Sequence, residues 1–282
     1  MARDAGRRER ELDLTDASGS RKPSTVSGDL RLHDLQSARL GETRRVAVWL
    51  PPGYKMDDAR RYPVLYLHDG QNVFDAATAF GDEWQVDETA TALIERGEIQ
   101  PLIVVGIYNG GDRRVEEYTT AVDTLRWWRR RSVRGKHGPM LVEELKPFID
   151  RTYRTLPGAA NTGLGGSSLG ALASLRVGLR YYTTFGKLAV MSPSVWWKDR
   201  AVLQEVAALP DGPLPVRIWL DAGTDEAQSV IPDVRALRDA LVGKGWRLGE
   251  DLSYMEAEGA RHDERSWAAR VAPMLHFLFP AS

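Results

Sequence analysis

NTGLGGSSLGALAS (Asn161–Ser174) sets two adjacent serines among glycines, with a small apolar run before them and an Ala/Leu-rich stretch after. Only Gly166-Ser167-Ser168-Leu169-Gly170 fits G-x-S-x-G, so Ser168 is the candidate nucleophile. Ser167 fails, because Leu169 stands two residues after it. The glycines answer a steric demand. In a strand-to-helix elbow the serine backbone is strained, and side chains two residues to either side collide. A flexible Gly/Ser loop has the same letters, so the flanking sequence must decide.

Working outward, the chain alternates strand and helix patterns. DLRLHDLQS and TRRVAVWLPPGY alternate apolar and polar residues and predict two antiparallel edge strands. YPVLYLHDG, PLIVVGIYNGG, NTGLGG, FGKLAVMSPS, PVRIWLDAGTDE and DLSYMEAEG predict six more strands, most of them buried. Between and after them lie helical patterns, among them DEWQVDETATALIERGE, MLVEELKPFIDRTY, LGALASLRVGLRY, IPDVRALRDALVGKG and SWAARVAPMLHFLF. About eight strands, mostly parallel and covered by helices on both faces, make an α/β fold of α/β-hydrolase type. No large cap domain and no internal linker is visible. A strand precedes Ser168 and a helix follows it, as the elbow requires.

A serine hydroxyl needs a base, and the base needs a group that fixes its tautomer. In this fold the chain order is Ser, acid, His. Of five histidines, only His262 lies in the loop between the last strand and the last helix, in EGARHDERSW. His33 and His68 precede the serine, His137 lies between elements, and His276 reads as a packed histidine inside the last helix. The acid is expected in AGTDEAQ, where Asp225 and Glu226 compete and spacing alone does not choose. Two backbone N–H groups form the oxyanion hole. One is expected from Leu169. The other is expected from Gln71, with Gly70 letting the backbone turn towards the site.

Composition sets the bounds. The chain has 282 residues, 43% hydrophobic and 27% charged, with a net charge of -1 and no cysteine. That suits one sizeable α/β domain and excludes disulfides, thiolate catalysis and cysteine-based zinc sites. Near-neutral charge gives no nucleic-acid footprint, and no run is long and apolar enough for a membrane span. The N-terminus mixes Gly, Ser, Pro and charges of both signs without an apolar core of a secretory signal. Residues 1–28 therefore read as a largely disordered extension, residues 29–282 as a single domain, and the location as cytoplasmic.

Several long motifs in order resemble the Putative esterase family of α/β-hydrolases, which includes S-formylglutathione hydrolase (esterase D), feruloyl esterases, enterochelin-type esterases and mycolyltransferases. The motifs are VWLPPGY, YPVLYLHDGQNVFD, VGIYNGGDRRVEEYT, EELKPFIDRTYRTLP, GGSSLGALAS, FGKLAVMSPSVWW, IWLDAGTDE and GARHDERSWAARVAPMLHFLF, spanning Thr43 to Pro280. The resemblance implies serine-hydrolase chemistry on a small-molecule ester, with no cofactor and no catalytic metal. It also favours Glu226, which stands three residues after Gly223 in the family's G-T-x-D/E pattern. The chain departs from the family in having Ala171 where a second glycine is common, and Glu where Asp is commoner.

Trp196 and Trp197, in SPSVWW after the strand next to the elbow, are the candidate substrate-binding residues, with Trp84, Trp127 and Trp128 in other loops. RWWRRRSVRGKH carries six Lys/Arg between Arg126 and Lys136, a solvated loop or an anionic-substrate rim. DRRVEEY (Asp112–Tyr118) reads as an internal ion-pair network. Two function classes follow: a carboxylic-ester hydrolase for a compact short-chain or aromatic ester, and a non-catalytic binding protein on the same fold. An acyltransferase is a variant of the first, since water and an alcohol compete for one acyl-enzyme. Oligomeric state has no signature in the sequence.

Overall fold

A computed structural model describes residues 22–119 and 135–281. The strands are β1 (Asp29–Ser37), β2 (Glu42–Leu50), β3 (Val64–His68), β4 (Ile103–Ile107), β5 (Thr162–Ser167), β6 (Lys187–Met191), β7 (Arg217–Gly223) and β8 (Leu252–Ala257). They form one sheet in the order β1-β2-β4-β3-β5-β6-β7-β8. β1 and β2 pair antiparallel, as does β2 with β4, and every later pair is parallel. The helices are α1 (Val86–Glu95), α2 (Arg114–Thr119), α3 (His137–Met140), α4 (Lys146–Thr152), α5 (Leu169–Arg180), α6 (Trp197–Ala207), α7 (Val230–Gly243) and α8 (Glu264–Leu278). A π-helical turn, Leu141–Leu145, joins α3 to α4. The expected mostly parallel eight-stranded α/β sheet is the one found. No helix among the described residues is long and apolar enough to cross a membrane.

Successive strand residues point to opposite faces, and the core divides accordingly. Val64 and Tyr66 of β3, with Ile103, Val105 and Ile107 of β4, pack on one side against α5, α7 and the Met140–Ile149 helix. Leu65, Leu67 and Val104 face the other side, against Val86, Ala90 and Leu93 of α1 and Val271, Met274 and Leu278 of α8. Both faces are covered, so β3 and β4 are buried at every position. Apolar runs of this kind mark a central strand.

Three expectations need correction. The extension was expected to run to residue 28, but Lys22–Gly28 lie against the domain. Ser24 Oγ donates to Asp75 Oδ2 at 3.0 Å, and the Trp49 indole donates to the Ser27 carbonyl at 2.8 Å. Polar side chains dock this segment without an apolar face, so hydrophobic periodicity cannot reveal it. His276 is not packed. It lies on the outer side of α8, 42% exposed, with Nε2 3.1 Å from Glu98. The third is α2, which the reading did not expect. Its six residues include one exposed valine and no apolar stripe.

Candidate active site

Ser168 stands between β5 and α5 with φ 56° and ψ −123°, a strained conformation for a residue with a Cβ. A Cβ on Gly166 would meet the Gly170 carbonyl carbon at 2.9 Å, so the two flanking glycines touch through their backbones. That contact is the physical content of G-x-S-x-G. The Ser168 amide donates to the Met191 carbonyl on β6 at 3.0 Å, which ties the elbow to the neighbouring strand.

His262 lies in the loop from β8 to α8, and its Nε2 is 2.9 Å from Ser168 Oγ. Asp263, next in the chain, caps α8 by accepting from the Ser266 amide at 2.8 Å, which fixes where the loop ends. His262 Nδ1 lies 2.6 Å from Glu226 Oε2. A carboxylate only accepts, so Nδ1 carries the hydrogen and Nε2 is left to accept from the serine. Asp225 is exposed and turns away. Its amide donates to the Ala260 carbonyl at 3.0 Å, and the Gly259 amide donates to Thr224 Oγ1 at 2.8 Å. These bonds stitch the loop after β7 to the loop after β8 and carry Glu226 beneath His262.

The Glu226 side chain is fully buried while His262 is 39% exposed. Burial acts to raise the Glu226 pKa, but hydrogen bonds from His262, Ser192 and Gly223 together outweigh it and hold the carboxyl below its ordinary value. The Ser192 hydroxyl was missed in the sequence and is a hub. It donates to Glu226 Oε1 at 2.5 Å and accepts from Arg270 Nη2 at 2.9 Å and the Trp267 indole at 3.1 Å. The Ser192 amide donates to Asp221 Oδ1 at 3.1 Å. Asp221 is fully buried at the end of β7, and burial pushes its pKa up to about 6 despite Arg270 nearby. SPS after a strand is too common a string to mark such a residue.

The expected oxyanion loop follows β3, and the turn has a different cause from the one expected. The left-handed residue is Asp69 (φ 56°, ψ 46°), not Gly70. Arg114 holds Asp69 through Nε and Nη2 at 2.7 and 2.8 Å, and Asn109 Nδ2 donates to Asp69 Oδ1 at 2.7 Å. The Asp69 amide donates to the Tyr118 hydroxyl at 3.1 Å. The DRRVEEY stretch thus forms the expected ion-pair network, with Arg44–Glu117 at 2.7 Å as its buried second half. Gly70 is needed for room. A Cβ there would meet the Gly106 carbonyl carbon at 2.3 Å. Leu169 opens α5 and Gln71 is buried in the turn after Asp69.

Trp196 is exposed beside the site, in the loop whose Ser194 Oγ is 3.2 Å from Ser168 Oγ. Trp197 is only partly buried, packs against the core, and lies 5.5 Å from Trp196 between ring centroids. Trp84 is buried and packs against Trp267 with the two rings tilted at 51°, and the Trp267 ring meets His262 edge-on at 5.1 Å. Trp127, Trp128 and the basic run up to Arg134 lie outside the described residues. At the end of β3, His68 Nε2 lies 2.8 Å from His137 Nε2, and both residues are fully buried.

This constellation can move the Ser168 proton to His262, hold the resulting imidazolium against Glu226, and present a serine oxygen to a carbonyl carbon. Comparison with known proteins is consistent with that chemistry. The family described as Putative esterase matches residues 37–278. Over 253 residues the chain is 23% identical to the uncharacterized protein YbbA of Bacillus subtilis strain 168, covering 84% of this chain and 92% of YbbA. It is 28% identical over 229 residues to the iron(III) salmochelin esterase of Escherichia coli O6:H1 strain CFT073, covering 75% of this chain and 50% of that one. A solved ferulic acid esterase superposes with a TM-score of 0.70 at 18% identity, covering 89% of this chain and 98% of that chain.

Proposed function

The chain belongs to the Putative esterase family and is a carboxylesterase-type hydrolase, and from that premise we propose that it cleaves a compact carboxylic ester through a Ser168 acyl-enzyme. The observation that carries the reading is the unbroken hydrogen-bonded line from Ser168 Oγ through His262 to Glu226, at 2.9 and 2.6 Å. In the first half-reaction His262 Nε2 takes the Ser168 proton as Oγ attacks the ester carbonyl. The Leu169 and Gln71 N–H groups receive the charge developing on the carbonyl oxygen. His262 then returns the proton to the departing alcohol, leaving an acyl-serine. Water repeats the cycle, giving up one proton to His262, and the acid departs with Ser168 restored.

Glu226 keeps the imidazole in one tautomer and stabilises its charged form without taking the proton itself. Its lowered pKa supports this role, since it stays ionised wherever the histidine cycles. The substrate is read as a short-chain or aromatic ester. Trp196 offers an exposed rigid ring two residues after Ser194, whose Oγ lies 3.2 Å from Ser168 Oγ. The name of the ferulic acid esterase points to an acyl group of that aromatic kind.

A p-nitrophenyl ester series from C2 to C16, run beside methyl ferulate and a catecholate ester, tests the reading through kcat/KM. The expected optimum lies among the short acyl chains or the aromatic esters, and Trp196→Ala lowers the aromatic preference. A value rising steadily to C16 contradicts it.

A further inference from the structure

A cluster of carboxylates stands at the start of α1. Glu83, Asp87 and Glu88 each bring one oxygen to within 4.8 Å of the others. Asp87 is fully buried and Glu83 is 6% exposed. Each gives one oxygen to the docked N-terminal segment. Thr25 Oγ1 donates to Glu83 Oε1 at 2.5 Å, and the Ser27 amide donates to Asp87 Oδ2 at 2.6 Å. The remaining oxygens, Glu83 Oε2 and Asp87 Oδ1, are buried without a partner, and so is Glu88 Oε2.

A buried carboxylate oxygen without a donor or counter-charge is strongly disfavoured. Here each of the three clustered carboxylates carries such an oxygen. Among the described residues no lysine or arginine forms an ion pair with Glu83, Asp87 or Glu88. Lys22, in the same segment, donates its ammonium to the Gly81 carbonyl instead.

We propose that Glu83, Asp87 and Glu88 bind a hard divalent cation, with Ca²⁺ the best fit, which fastens residues 22–28 to the start of α1. The donors are all oxygen, the ligand type of Ca²⁺ and Mg²⁺. Oxygens bound to one Ca²⁺ at roughly 2.3–2.6 Å lie no more than about 5 Å apart, and these three meet that limit. Waters complete the six to eight ligands that Ca²⁺ takes. Mg²⁺ needs shorter bonds and a near-ideal octahedron, which two buried side chains anchored by Thr25 and Ser27 cannot readily adjust to. Trp84 lies between Glu83 and Asp87 in the chain and packs on Trp267, which touches His262, so the ion braces the wall behind the base. This site stands independently of the ester-hydrolase reading.

The test uses the full chain, stripped with EDTA and dialysed, titrated with CaCl₂ by calorimetry and melted with and without the ion. The expected result is a saturable 1:1 heat and a melting temperature raised by about 5–10 °C at a hundredfold excess over Kd. Both effects disappear in Asp87→Asn. If that variant does not fold, Glu88→Gln replaces it, with weakened binding expected. No heat and no shift with Ca²⁺ or Mg²⁺ up to about 10 mM, well above the weakest protein Ca²⁺ sites, overturns the proposal and leaves a shared proton in the cluster. Undiminished binding in Asp87→Asn overturns it equally.

Discussion

Glu226 and Asp225 are adjacent in the chain, yet only one reaches His262. The choice is made by the Asp225 amide, which bonds to the Ala260 carbonyl and turns the next side chain inward. Glu226→Gln should lower kcat strongly, by up to ~10⁴-fold in a triad that depends on its acid. Asp225→Asn should leave it nearly unchanged. Steady-state kinetics on p-nitrophenyl butyrate decide, and a crippled Asp225→Asn enzyme contradicts the assignment. Ser192→Ala removes the hydroxyl that links Glu226 to Arg270 and Trp267. A hydrogen bond to a charged group is worth ~1.5–3 kcal/mol, so kcat should fall by about tenfold or more with KM little changed. Partial rescue by Ser192→Thr is expected, and a parallel rise in KM would point to general damage instead. Ser168 and His262 were legible as letters, because a register and a chain order name them. Ser192 was not, because its role depends on Arg270 and Trp267, far away in the sequence.

At the level of elements, the turns carry the strain that positions the chemistry. Gly166 and Gly170 touch through backbone atoms that cannot move aside. Gly166→Ala should therefore destabilise the protein by ~1–3 kcal/mol and abolish most activity. Gly158→Ala serves as control, since nothing lies within 4 Å of a Cβ placed there. Thermal melts and kcat on both variants check this, and an active, stable Gly166→Ala enzyme contradicts it. The strands and long helices were legible because each buries a periodic face. In the turn after β3 the expectation was that Gly70 lets the backbone turn, but the left-handed residue is Asp69. Asp69 takes that conformation because Arg114, Asn109 and Tyr118 hold its carboxylate and amide, and those partners lie 40 or more residues away.

For the whole molecule, buried ionisable groups set the response to pH. Burial lowers the His68 pKa to about 4 and holds His137 well below its ordinary 6.5. The unfolded imidazoles take protons below about 6.5, so the stability these residues contribute is full above that pH and is lost as pH falls towards the folded values. For His68 the difference corresponds to about 3 kcal/mol. Buried Asp221, raised to about 6, works in the opposite sense, so the total profile hides the term. His137→Gln isolates the His137 share. The stability gap between wild type and variant, from urea denaturation at pH 7.5, 6 and 5, should narrow as pH falls, and a constant gap contradicts the linkage. The mostly parallel sheet was legible from the alternation of strand and helix, but the docking of residues 22–28 was not, since Ser24 and Ser27 make polar contacts without an apolar pattern. The central claim is that one serine in the intact chain is activated. Fluorophosphonate labelling of the full-length protein, read by intact mass and peptide mapping, tests it most directly. One adduct per chain, on Ser168, retained in Ser167→Ala and absent from Ser168→Ala, is the predicted result; no adduct, or an adduct that survives Ser168→Ala, would contradict it.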